Sequence, residues 1–138
     1  MRKNILNISE AASIAIHAAV AMAGRPERLR SARELAAALD VSLAHLAKVM
    51  QRLAKAGIVR SERGPSGGFA LDKPPESVSL LDIYEAVEGT FEGRDCLLSN
   101  RICGGACVLG GLLGKINQEV REAFTSISLG SLSPKSER

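Results

Sequence analysis

Apolar side chains recur along this chain at helical spacing, lose that spacing twice, and regain it. Ile8, Ala12, Ala15, Ala19 and Met22 share one face of a predicted helix that Ser9 can cap and that Gly24 and Pro26 end. Ser31 caps a short helix, Ala32–Leu39, with Leu35 and Leu39 inward and Glu34 in its first turn. Asp40 and Val41 turn the chain into a further helix, Ser42–Lys55, whose Leu46, Val49 or Met50, and Leu53 form a buried stripe. Gly57 stops it, because glycine alone enters the left-handed cap conformation without penalty. The period then changes. Ile58–Ser61 reads as a strand, Arg63–Gly68 as a hairpin tip and Phe69–Leu71 as the returning strand, with a stiff exit at Asp72–Pro75. Ser79 caps another helix, Leu80–Glu88, whose Leu80, Ile83, Tyr84 and Val87 can pack on the core before Gly89 ends it.

From Thr90 to Gly105 no period survives; the run has little apolar content of its own, so something else must order it. A final helix, Val108–Ser128, carries Leu113, Ile116, Val120, Ala123 and Ile127 at steps of three and four. That seam suits either a second copy of the helix or the chain's own domain. The Ser-rich end, Leu129–Arg138, is expected to be a disordered tail. The fold class is therefore mainly α with a small β wing: a winged helix-turn-helix over residues 1–78, then a connector helix, a cysteine loop and a long dimerisation helix over 79–128. Residues 1–7 read as a short arm or first strand, with Arg2 and Lys3 able to touch DNA or to fray in solvent.

Composition narrows the class. Hydrophobic residues make up 46% of the 138 but aromatics only 3%, so the core must be built of Ala, Leu, Ile and Val, and stacking of single-stranded bases is a poor fit. Residues 1–75 hold 12 Lys/Arg against 6 Asp/Glu, a balance of +6; residues 76–138 hold 6 against 9, a balance of −3. The front suits a polyanion and the back does not. With no apolar run long enough to span a bilayer and no signal-peptide layout at the N-terminus, a cytoplasmic protein is expected. No Ser/His/Asp or paired-carboxylate arrangement is present to suggest an enzyme.

The helix from Ser42 and the hairpin after it are the candidate DNA-binding surface. Ser42, Ala44, His45, Lys48, Gln51 and Arg52 lie away from the buried stripe, and small, cationic and amide side chains are the types that reach base edges and phosphates in a major groove. Lys48, Arg52 and Arg63 are expected mainly at phosphates, with His45 and Gln51 as candidate base contacts. At the tip, Arg63 supplies charge while Gly64, Gly67 and Gly68 allow close approach to a phosphate backbone.

Cys96, Cys103 and Cys107 form a C-x6-C-x3-C pattern among glycines. Structural zinc sites use closer pairs and four protein ligands. Iron–sulfur clusters accept thiolates at looser spacings and a non-cysteine fourth ligand. The spacing fits a labile cluster, a thiol–disulfide switch, or no special role. His17, on the flank of the first helix, is either a structural histidine bonded to a backbone carbonyl or a metal ligand.

The segments SARELAAALDVSLAHLAKVMQRLAKAGIVRSERGPSGGF and SVSLLDIYEAVEG, with three cysteines before a long C-terminal helix, resemble the winged-helix repressors of the IscR, NsrR and RirA type over nearly the whole chain. The resemblance implies a homodimer on a near-palindromic operator, with Ser42–Lys55 in the major groove and Arg63–Gly68 in the minor groove. It further implies an iron–sulfur cluster, 2Fe–2S or 4Fe–4S, on Cys96, Cys103 and Cys107. Where the family's cluster-assembly regulator has a ligand histidine this chain has Gly110, and where its nitric-oxide sensor has an acidic ligand it has Ser13; His17 resembles the histidine of a redox-sensing member and is the expected fourth ligand, from the partner subunit. Some members keep the fold without a cluster. The expected function is a redox-sensing transcriptional repressor controlled by the cluster, or alternatively a cluster-free regulator answering to thiol oxidation, a small molecule or a protein partner.

Overall fold

The computed structural model describes residues 8–132, apart from Asp95, Ser99, Arg101, Ala106, Val108 and Gly110. The proposed arm at residues 1–7, the helix start at Val108, the Gly110 position and the end of the tail at 133–138 lie outside the described residues. The elements run α1 (Glu10–Ala23), α2 (Ala32–Leu39), α3 (Leu43–Lys55), β1 (Val59–Glu62), β2 (Gly68–Leu71), a single 3₁₀ turn at Pro75–Ser77, α4 (Leu80–Glu88), α5 (Leu112–Ser126) and α6 (Leu129–Leu132).

Each of the first four helices starts on a serine whose hydroxyl accepts a first-turn backbone N–H: Ser9 from Ala12, Ser31 from Glu34, Ser42 from His45 and Ser79 from Asp82. Asp82 returns the bond to the Ser79 backbone, completing a capping box. These caps satisfy N–H groups that a helix start leaves without partners.

Alanines make the centre possible. Ala12, Ala15, Ala18 and Ala19 of α1 are wholly buried, so α2, α3 and α4 can close around that helix and enclose Leu35, Leu46, Met50, Leu53 and Ile83. β1 and β2 pair antiparallel, Val59 opposite Leu71 and Glu62 opposite Gly68. The hairpin is also held from outside: Arg30 and Phe69 exchange backbone hydrogen bonds of 2.9 and 2.8 Å, an antiparallel bridge joining the wing to the α1–α2 connector.

The C-terminal part departs from expectation in two places. The last helix is shorter than Val108–Ser128, beginning only at Leu112 behind a glycine-rich run of low helix propensity. Its end is set by Ile127, which is extended and hands the chain to a bridge between Ser79 and Ser128. There the Leu80 N–H donates to the Ile127 carbonyl at 3.0 Å and the Leu129 N–H to the Val78 carbonyl at 2.9 Å. The expectation of a disordered tail from Leu129 is corrected by that return: Leu129 has no exposed surface and belongs to the main core, followed by one helical turn. α5 itself buries no residue, although it is amphipathic.

Candidate nucleic-acid interface and cysteine cavity

Helix α3 presents its buried stripe, Leu46, Val49, Met50 and Leu53, to the core. Successive residues turn by roughly 100°, so the opposite side is centred on Ala44, Lys48, Gln51 and Lys55, all exposed. That ridge keeps Ala44, Lys48 and Gln51 of the residues selected from sequence, together with Lys55, which the helical spacing places on the same side. The others sit differently. The Ser42 hydroxyl is engaged as the helix cap, 3.1 Å from the His45 N–H. His45 and Arg52, seven residues apart, lie on one flank. His45 Nδ1 is 3.9 Å from a Glu10 carboxylate oxygen at the start of α1, and Arg52 Nη1 donates to the Val87 carbonyl at 2.9 Å. Leu43 was not foreseen; it heads the helix with 40% of its surface exposed, where an apolar side chain can meet a thymine methyl.

At the wing tip Arg63 and Gly64 are exposed, and the Gly67 N–H closes a turn on the Gly64 carbonyl at 3.0 Å with Pro65 in the second position. Gly67 and Gly68 are required by the hairpin itself. A Cβ on Gly67 would sit 2.1 Å from the Glu62 carbonyl oxygen, and one on Gly68 2.5 Å from that of Arg30. The Arg30 side chain completes the clamp, its Nε at 3.1 Å from Glu34 Oε1 and its Nη1 at 3.1 Å from the Ala21 carbonyl. Arg30 is the residue sequence reasoning missed; a lone arginine in a connector carries no periodic signal.

The three cysteines reach one place. Cys96 and Cys103 are half-buried, Cys107 is exposed, and all three line a cavity of about 440 Å³ with Leu97, Leu98, Ile102, Leu109 and Leu113. Among the described residues no group of three or more His, Cys, Asp or Glu is gathered tightly enough to hold a metal ion. His17 is not part of the cavity wall. It is exposed on α1, and its Nδ1 lies 2.7 Å from the Ser13 carbonyl oxygen. A carbonyl only accepts, so Nδ1 carries the hydrogen in that contact, which leaves Nε2 as the ring nitrogen available to a ligand, an arrangement metal-binding histidines commonly have.

A packed junction lies at the end of α4. The Phe91 N–H donates to a Glu85 carboxylate oxygen at 2.8 Å, the Phe91 ring meets Tyr84 edge-on at 5.9 Å, and Tyr84 meets Phe124 at 6.1 Å. Arg121 of α5 lies over the Phe91 ring at 5.0 Å and donates through Nη2 to the Phe91 carbonyl at 2.6 Å. Among the described residues no helix is long and apolar enough to cross a membrane.

Comparison with known proteins adds four findings. The family model described as "Rrf2: Iron-dependent Transcriptional regulator" matches residues 8–135. The HTH-type transcriptional regulator IscR of Cereibacter sphaeroides is 36% identical over 92 residues, which are 67% of this chain and 54% of that protein. The chain thus spans about half the length of that curated relative. Among solved structures, T. potens IscR superposes with a TM-score of 0.74 at 25% identity, covering 93% of this chain and 86% of its own. CymR, the global cysteine regulator of B. subtilis, superposes at 0.79 with 23% identity over 96% and 100% of the two chains, which shows a shared fold.

Proposed function

Since this chain belongs to the Rrf2 family, we propose that it is a dimeric transcriptional repressor whose grip on a near-palindromic operator depends on an iron–sulfur cluster held by the cysteine loop. The observation that carries this is spatial: Cys96, Cys103 and Cys107 line one apolar cavity together with Leu113 of α5. The donor chemistry fits such a cluster, since thiolates are its usual ligands and an apolar wall limits access of water. Cys96, Cys103 and Cys107 would hold it, with His17 Nε2 of the partner subunit as fourth ligand. When bound, the cluster would supply a centre whose oxidation or loss reports a chemical signal.

The chain's own residues do the rest. Ala44, Lys48, Gln51 and Lys55 form the exposed ridge for the major groove, with Arg63 and Gly64 at the wing tip for the minor groove. Leu113 is taken up by the cavity wall, while Ile116, Val120 and Ala123 lie on the flank of α5 beside the face on which Asn117, Arg121 and Phe124 meet Arg94, Phe91 and Tyr84. That leaves an apolar stripe for a second α5, and two-fold pairing would repeat the α3 ridge as a palindrome requires.

Anaerobic purification tests this. Visible absorbance and protein-bound iron are expected, both lost in Cys103→Ala. A second reading is favoured by the absence, among the described residues, of a gathered ligand set: a cluster-free regulator answering to thiol oxidation or an apolar ligand in the same cavity. A colourless protein whose DNA affinity changes with oxidant would select it.

A further inference from the structure

Arg52, an exposed residue of α3, turns its guanidinium back onto its own chain. Its Nη1 donates to the carbonyl of Val87, 35 positions along the chain, at 2.9 Å. Val87 is buried in the last turn of α4, where backbone carbonyls lack helical partners and attract a cation. The same turn is tied down elsewhere: Glu88 takes a hydrogen bond from the Ser9 hydroxyl at the head of α1, and the Gly89 N–H donates to the Glu85 carbonyl at 2.9 Å. Two residues on, Phe91 is fixed by Glu85, Tyr84 and Arg121, and the chain then runs to Cys96.

We infer that Arg52 is a positioning residue and not a phosphate ligand: it locks the recognition helix to the end of α4, and so to the segment that leads into the cysteine loop. A guanidinium pointed at a carbonyl of its own chain is poorly placed to neutralise a DNA phosphate. A shift at Phe91 displaces the Val87 carbonyl, and α3 either follows or loses the bond. The inference rests on α3 being the groove-reading helix.

The test uses Arg52→Met, which keeps the aliphatic stem, and Arg52→Lys, which keeps one donor, in the full chain. The probe is a duplex selected from random-sequence DNA by the wild-type protein, with a scrambled duplex for comparison. Binding is measured across a salt series, before and after chelation and alkylation of the cysteines. For Arg52→Met the ratio of selected to scrambled affinity should fall about tenfold, as expected on losing a charge-assisted hydrogen bond. The salt slope should stay at the wild-type value, and the change in affinity on cysteine treatment should shrink toward none. Arg52→Lys should recover part of both losses, and decides the matter if Arg52→Met fails to fold. A salt slope lower by about 0.9 with both duplexes weakened alike makes Arg52 a phosphate contact and overturns the inference. An unchanged slope with an unchanged response to cysteine treatment overturns it also. A wild-type protein that selects no duplex removes the groove reading beneath it, an outcome distinct from either.

Discussion

Gly68→Ala isolates what holds the wing. The added Cβ would lie 2.5 Å from the Arg30 carbonyl oxygen and 2.6 Å from its carbon, both backbone atoms, at a residue whose φ is +151°. Two escapes exist. The hairpin can stay and accept a strained backbone plus a clash, at about 1–3 kcal/mol for the backbone alone. Otherwise it can swing away and break the two Arg30–Phe69 hydrogen bonds, at about 0.5–1.5 kcal/mol each. The cheaper route sets the cost, so a loss of about 1–3 kcal/mol is expected, with the wing displaced. Gly64→Ala is the control: its φ of +109° is also unfavourable, yet its Cβ would meet nothing within 4 Å. Urea unfolding followed by circular dichroism gives the stabilities, and fluorescence anisotropy with a selected duplex gives the binding. Gly68→Ala should be less stable than Gly64→Ala and should bind at least about tenfold more weakly than wild type, the minor-groove contact proposed for the wing being lost. Equal stability of the two variants with undiminished binding by Gly68→Ala would refute the claim that the Arg30 bridge positions the wing.

Three further outcomes are expected. Leu129→Ala should cost about 2–5 kcal/mol in urea unfolding, because a fully buried leucine leaves a cavity; a change under about 0.5 kcal/mol would return the C-terminal turn to the status of a loose tail. Lys48→Ala should weaken selected and scrambled duplexes alike and lower the salt slope by about 0.9, read by anisotropy at several salt concentrations; an unaltered slope means the α3 ridge does not face phosphates. Val120→Glu should leave circular dichroism unchanged while analytical ultracentrifugation reports monomer in place of dimer, and a persisting dimer would place the interface elsewhere.

The local parts of this fold are legible in the sequence because local chemistry sets them. Serines at positions 9, 31, 42 and 79 mark helix starts, and the alternation of period at Ile58 marks the hairpin. Long-range matters are not legible. Arg52 looks like any other cation on an exposed face; only the arrival of α4 beside α3 supplies the Val87 carbonyl that takes it. Gly68 reads as a flexible wing tip, whereas its missing side chain makes room for a connector 38 positions earlier in the chain. Leu129 falls within a Ser-rich segment, and its burial depends on a bridge between Ser79 and Ser128 that no spacing announces. The cysteine spacing suggests a shared destination but says nothing of the leucines and isoleucine that wall the cavity.

The bridge where the chain returns has a consequence for change over time. Beyond α4, which packs into the core, comes α5, which buries no residue, and the chain is caught again where Ile127–Leu129 is zipped to Val78–Leu80. The intervening stretch behaves as an exchangeable cassette with a fixed socket. Lengthening it twofold adds only about 0.6 kcal/mol of closure entropy, so a lineage can rewrite the chemistry inside while the socket's registration is untouched.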